Sequence, residues 1–374
     1  MAGAPPDAEC LAVYVCGMQK TDLPESIRST LAAGTVIPAH PLALDVDRQF
    51  SERHQRALTR YHLNAGAGGV AIGVHSTQFE IRDPAFSLFE KVLSIGSETV
   101  DQFVHDNGRE IVKVAGICGR TEQAVNEAAF VRDAGYHTGL LSLAAFKDDD
   151  DDTLIQHCHR VAEEIPIVGF YLQPAAGGRL LGYEFWRRFA EIDNVIAIKM
   201  APFNRYQTLD VIRGVCEAGR DDIALYTGND DNIIIDLLTT YRIATTSGTV
   251  ERQIVGGLLG HWAVWTQPVV EQFEEIRAAR ESNAPIDPKW LVLANQVTDA
   301  NAVLFDATNN FRGCLSGINE VLRRQGLVQT AACLSEDEQL SPGQAEEIDR
   351  IYRSYPHLTD DDFVRTNLDD WLAG

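Results

Sequence analysis

Along residues 35–262, short β-branched or apolar runs alternate with longer segments whose apolar positions recur every three or four residues. That alternation predicts strands in a parallel sheet, each followed by a covering helix. Eight runs qualify as strands: residues 35–39, 69–74, 111–115, 138–143, 167–171, 195–199, 223–226 and 254–259. Stretches between them, such as 121–134 and 208–218, carry the helical spacing. Eight strand-helix repeats predict an α/β fold, a (β/α)8 TIM barrel, which typically takes about 250 residues. The rest of the 374-residue chain reads as amphipathic helices at 271–280, 290–307, 317–325 and 342–352, with Pro285 and Pro288 as breaks. The expected organisation is therefore an N-terminal extension (1–34), the barrel (35–262) and a C-terminal helical region (263–374).

With 45% hydrophobic residues the chain can bury a large core, which excludes a disordered or disulfide-scaffold protein. Fifty-four acids against 32 bases give a net charge of −22, which repels phosphate backbones and anionic lipid and so argues against nucleic-acid and membrane partners. No apolar run approaches the ~20 residues of a membrane helix, and the start of the chain lacks the basic leader of an export signal. Seven cysteines without a CxxC pair fit a reducing compartment, so a cytoplasmic protein is expected.

Lys199 is the most informative residue, because it ends the apolar run Val195, Ile196, Ala197, Ile198. At the C-terminal end of a barrel strand, its amine points into the partly desolvated mouth where barrel active sites sit. Lowering a lysine from about 10.4 to near 7.5 corresponds to roughly 4 kcal/mol of differential solvation and yields a neutral amine able to attack a carbonyl carbon. The competing reading is a lysine whose stem packs while its head snorkels to water. Tyr171 ends the preceding strand, so its phenol is expected beside Lys199, where it could move the protons that imine formation requires. In the turn Gly73, Val74, His75, Ser76, Thr77, adjacent hydroxyls and backbone N–H groups could hold a carboxylate, or could simply satisfy the turn itself.

These residues resemble the dihydrodipicolinate synthase and N-acetylneuraminate lyase family of Schiff-base aldolases built on a (β/α)8 barrel. The resemblance rests on Phe170-Tyr171-Leu172-Gln173-Pro174 and on the strand ending in Lys199, 28 residues after Tyr171. Two further segments are similar to the family's: residues 73–80, which place Ser76 and Thr77 on its paired hydroxyl positions, and Tyr226-Thr227-Gly228-Asn229-Asp230-Asp231, which resembles its Gly-Asp-Asp turn and places Gly228 at the substrate. The resemblance implies that Lys199 forms an imine with pyruvate or another 2-keto acid, that Ser76, Thr77 and Gly228 bind it, and that Tyr171 relays protons. It implies no metal and no organic cofactor, a small-molecule keto acid with or without an aldehyde as partner, and a homo-oligomer, dimer or tetramer. The chain departs from the family pattern in having no tyrosine at 142–146, in carrying Ala176 where the synthase has an arginine, and in Gln78 and Phe79 of the carboxylate turn. Those departures point to a less anionic electrophile, and they motivate an alternative reading as a non-catalytic or regulatory barrel that binds 2-keto acids.

Other features have plainer readings. The acids at 148–152 repel one another and are expected in a solvated loop. His157 and His159 do not share a helix face, so a metal site there is not expected. Gly66, Gly68 and Gly69 precede a strand instead of following one, which is not the context of a dinucleotide loop.

Overall fold

The computed structural model describes residues 17–282 and 284–374. In chain order its strands are β1 (Val36–Pro38), β2 (Gly69–Ile72), β3 (Val112–Ile117), β4 (Thr138–Leu141), β5 (Ile167–Leu172), β6 (Val195–Ala201), β7 (Ala224–Thr227), β8 (Thr240–Thr245), β9 (Gly248–Gln253) and β10 (Gly256–Leu259). Eight of them form one parallel sheet in the order β1-β10-β7-β6-β5-β4-β3-β2. The two ends of this sheet meet where Ala39 bridges Ala71 and His40 N–H donates to Ala71 O at 2.8 Å. The result is a (β/α)8 barrel, and each of its strands falls on one of the eight runs read from the sequence.

β8 and β9 are an antiparallel hairpin inserted between the seventh and eighth barrel strands. Their residues alternate between exposed and half-buried, so they carry too weak an apolar signal to register as core strands.

Small and large side chains together fill the barrel interior, including Ala39, Ala71, Val114, Leu140, Phe170, Ala197 and Leu258. Ile27 and Leu31 of the helix Glu25–Ala33 join this same cluster. Because this helix runs directly into β1, it plugs the N-terminal end of the barrel, and Tyr226 Oη donates to Leu31 O at 3.0 Å to fix it. The segment 17–34 is therefore docked onto the barrel through Leu23, Ile27 and Leu31, which join its interior cluster, and is not a free appendage; the remainder of the expected extension, 1–16, lies outside the described residues.

The barrel also continues past Trp262. Its eighth helix is Thr266–Glu281, which buries Val269, Phe273 and Ile276, with Phe273 packed edge-on against Trp262. Beyond it come the helices Lys289–Leu304, Cys314–Arg324, Gln344–Ser354 and Asp361–Ala373, the last of them absent from the sequence reading. A buried Asp360 ties this region down: Oδ2 accepts from Tyr61 Oη at 2.8 Å, and Oδ1 accepts from Gln325 Nε2 at 2.8 Å.

The acidic run begins a helix. Asp150 caps Asp151–Ala162 by accepting from Thr153 N at 2.9 Å, and Asp149 and Asp152 pair with Arg120 and Arg188. Acids at a helix N-terminus oppose the positive end of the helix dipole, which offsets part of their mutual repulsion. Among the described residues, no helix is long and apolar enough to cross a membrane.

Candidate active site

A cavity of about 460 Å³ opens at the C-terminal ends of the strands. Lys199, Phe170, Gly228, Asp230, His75 and Ser76 line it. Lys199 is 8% exposed, and its Nζ lies 4.5 Å from the centre of the Phe170 ring. The lysine side chain runs past Gly228 so closely that a Cβ on Gly228 would sit 2.5 Å from Lys199 Cε. Glycine at 228 is thus what leaves room for the amine to reach the cavity.

Among the described residues, no carboxylate lies within 4.0 Å of Lys199 Nζ. Burial pushes the amine below the ordinary lysine range, and the negative charge of Asp230 offsets part of that effect. Asp230 is 5% exposed, and its Oδ1 accepts from His261 N–H at 2.8 Å. Burial raises its carboxyl well above the usual carboxylate range. Next to them, His75 is lowered to about 4 by desolvation and by the Lys199 charge, so its imidazole is neutral near neutrality. The site therefore holds an amine, a carboxyl and an imidazole, each shifted toward its uncharged form by the same dry surroundings.

Two expectations from the sequence meet a different geometry. Tyr171 does not face the cavity. It packs outside the barrel, with its ring 5.3 Å from that of Trp186, and its Oη accepts from Leu181 N at 3.2 Å. The cause is a bulge at the start of the β5–β6 pair: Ile167 pairs with Val195, but Val168 pairs with Ala197. From there on the 28-residue offset becomes 29, and Lys199 pairs with Phe170 while Tyr171 pairs with Met200. The extra residue is Ile196 of β6, so Ile196 and Ala197 both face the interior and Lys199, two residues on from Ala197, faces it as well, while Tyr171 stays on the outer face it shares with Ile167 by plain alternation; Phe170 is therefore the ring beside the amine.

Thr77 is the second case. Its hydroxyl donates to His40 O at 2.7 Å and accepts from Gly73 N at 2.9 Å, and the residue is fully buried behind the cavity wall. It fixes the turn and is not presented to a ligand. Ser76 does line the cavity, held only by a long 3.4 Å contact from its Oγ to His40 O. Arg179, the cation nearest to where the family has its arginine, donates to Phe146 O and to Asp149 O at 2.9 Å, so it braces a loop.

Much of the remaining wall comes from residues the sequence reading did not single out: Phe305, Phe311, Arg312, Cys314 and Glu338 of the C-terminal region. No local motif marks them, because what unites them is the fold of the C-terminal helices over the barrel mouth. Gln78 Oε1, which accepts from Leu334 N at 2.6 Å, joins that region to the turn after β2. Among the described residues, no group of three or more His, Cys, Asp or Glu side chains is placed to hold a metal ion. His157 is buried against Phe146 on one face of its helix, and His159 is exposed on another.

The chain is 30% identical over 178 residues to a 4-hydroxy-tetrahydrodipicolinate synthase of Aromatoleum aromaticum, a match covering 47% of this chain and 56% of the relative. With the corresponding synthase of Archaeoglobus fulgidus it shares 35% over 112 residues, 29% of this chain and 37% of that protein. The chain thus spans about half or less of the length of these curated relatives. Among solved structures, it is similar to a prophage protein of the dihydrodipicolinic acid synthase family from E. coli K12 in complex with pyruvate. That comparison has a TM-score of 0.69 and 16% identity and covers 86% of this chain and 98% of the other. It is likewise similar to the synthase of Acinetobacter baumannii complexed with pyruvate, with a TM-score of 0.68 and 17% identity over 87% and 99% of the two chains. Residues 32–251 match the model of the dihydrodipicolinate synthetase family, and with the barrel and its lysine-bearing sixth strand in place, the chain belongs to that family.

Proposed function

We propose that the chain is a lyase, an aldolase or dehydratase, in which Lys199 forms a Schiff base with pyruvate or another 2-keto acid. The observation that carries this reading is a buried amine at the barrel mouth, without a carboxylate in contact and with its charged form disfavoured by burial. The pyruvate complexes of the E. coli and A. baumannii neighbours support the keto-acid class.

In this mechanism the neutral amine adds to the C2 carbonyl, the carbinolamine loses water, and the protonated imine accepts the electron pair released when a proton or a carbon substituent leaves C3. Ser76 Oγ, on the cavity wall, holds the substrate carboxylate. With the Tyr171 phenol on the outer face, the proton transfers fall to Asp230 and His75. Both line the cavity; Asp230 acts on the Lys199 charge, and the Lys199 charge in turn lowers His75.

The displaced phenol is also the observation that favours a second reading, a barrel that binds 2-keto acids without turnover. Borohydride reduction in the presence of pyruvate, followed by peptide mass spectrometry, tests the first step: a stable adduct on Lys199 is expected, and an unmodified Lys199 at saturating pyruvate overturns the proposal. Turnover of 2-keto acids with aldehydes that disappears in Lys199→Met eliminates the second reading.

A further inference from the structure

We infer that the loop-built part of the cavity binds a neutral aromatic group, and that the second substrate is an aryl aldehyde which couples to the keto acid on Lys199. This inference rests on the lyase reading and names its substrate class. Four phenylalanines, Phe79, Phe203, Phe305 and Phe311, line the same cavity as Lys199. They come from three separate parts of the chain and meet only in the folded molecule.

Two of these rings are held at the expense of the backbone. Phe203 has φ 52° and Phe311 φ 66°, in the left-handed region that bulky L-residues rarely occupy and that persists only where the surroundings enforce it. The surroundings do so here. Phe203 N–H donates to Asn229 Oδ1 at 3.1 Å. The loop carrying Phe311 is folded around the buried Asp306, whose Oδ2 accepts from Gly313 N at 3.1 Å and Ser341 Oγ at 2.5 Å, while Phe311 N donates to Asp306 O at 3.0 Å. The two rings then meet edge to face at 5.7 Å. Phe305 lies against bare backbone, since a Cβ on Gly260 would come within 2.8 Å of Phe305 Cζ. Gln78 and Asn310 on the same wall are also left-handed, so four strained residues surround this cavity, which is the pattern of a ligand clamp, and the edge-to-face pair of Phe203 and Phe311 offers a further ring its preferred contact geometry.

Charge selects the neutral member of this class. Besides Lys199 and Asp230, the wall carries Glu80, Asp337 and Glu338 against one cation, Arg312. Burial and the nearby Glu80 already raise the Glu338 carboxyl, so another anion in this part of the cavity would be repelled. A volume of about 460 Å³ lies within the ~300–1,000 Å³ of small-molecule sites and exceeds what a three-carbon acid fills. In the coupling step C3 of the enamine attacks the aldehyde carbon, the new carbon-carbon bond forms as the carbonyl π pair moves to oxygen, and that oxygen takes up a proton. Water then hydrolyses the imine, freeing Lys199 and a 4-aryl-4-hydroxy-2-keto acid.

The test is condensation of pyruvate with benzaldehyde, acetaldehyde and succinate semialdehyde by the full chain, read as kcat/KM. Benzaldehyde is expected to exceed the other two by at least about tenfold, and Phe311→Ala, or Phe311→Leu should the alanine variant not fold, to remove about tenfold of that preference. Equal or better use of either other aldehyde overturns the inference, as does a preference unaltered in the variant, or a pyruvate adduct on Lys199 with no coupling to any of the three. The absence of that adduct with pyruvate alone sinks the lyase reading itself, so the two failures are told apart.

Discussion

Replacing Asp230 by asparagine separates the two influences on Lys199. The substitution keeps an oxygen acceptor for His261 N–H and removes the charge together with the carboxyl's capacity to transfer a proton, so the position of the pH limb and not its height is the readout. Burial lowers the amine and Asp230 partly restores it, so without the carboxylate the ammonium loses that attraction and titrates lower still. The pair is more than 4.0 Å apart, and two charges at 4 Å interact by about 4 kcal/mol at an effective dielectric of 20, which bounds the shift at about three pH units. A downward shift of about one to two units is therefore expected. The assay is the rate of pyruvate adduct formation on Lys199 as a function of pH, quenched with borohydride and quantified by mass spectrometry. The wild-type rate should rise with pH along a limb below the ordinary lysine range, and in the variant that limb should lie lower, whatever the height of its plateau. Stability has its own sign. Because the Asp230 carboxyl is raised in the folded state, its ionisation destabilises the fold as pH climbs past the unfolded value of about 3.9; the variant should melt no lower than wild type at neutral pH. A limb that stays in place, or moves upward, refutes the electrostatic picture, and a wild-type limb at the ordinary lysine value shows the amine to be solvated.

Further outcomes follow from the same geometry. Gly228→Ala puts a carbon 2.5 Å from Lys199 Cε, and displacing the amine should slow adduct formation at least about tenfold, as expected when a reacting group is misplaced by an ångström, while far-UV circular dichroism stays unchanged. Thr77→Val breaks two buried hydrogen bonds of the turn and should lower stability in urea by about 1–3 kcal/mol. Ser76→Ala, which loses only a 3.4 Å contact, should instead leave the denaturation midpoint nearly unchanged and raise the pyruvate concentration needed for half-maximal trapping. Tyr171→Phe should change the trapping rate by less than about threefold, since the phenol is bonded to Leu181 N on the outer face; a loss of about 10²-fold or more, the scale of a missing general acid-base group, would show that it works in the cavity after all.

Fold and site were legible in the sequence to different depths. All eight barrel strands could be read because strands covered on both faces are runs of β-branched and apolar residues, a signal that survives without knowledge of their partners. The hairpin Thr240–Gln253 escaped because its half-exposed residues carry no such run, and the helix Glu25–Ala33 looked like an appendage because nothing local tells a helix that it will fill the bottom of a barrel. Lys199 stood out as a charge closing an apolar strand, and its placement at the mouth follows from the handedness and direction of strand-helix repeats alone. Its neighbours did not follow. One extra residue in β6, Ile196, turned Lys199 to the inner face beside Phe170 and left Tyr171 on the outer face, and strand alternation makes any such shift a change of face. Likewise, Phe305 and Phe311 stand more than a hundred residues from Lys199 in sequence and line its cavity only because the C-terminal helices fold back over the barrel mouth. Composition and periodicity thus determined the barrel and the lysine that closes its sixth strand, which depend on local pattern and chain direction; register and long-range packing, which depend on contacts between distant segments, decided which way that lysine faces and what surrounds it.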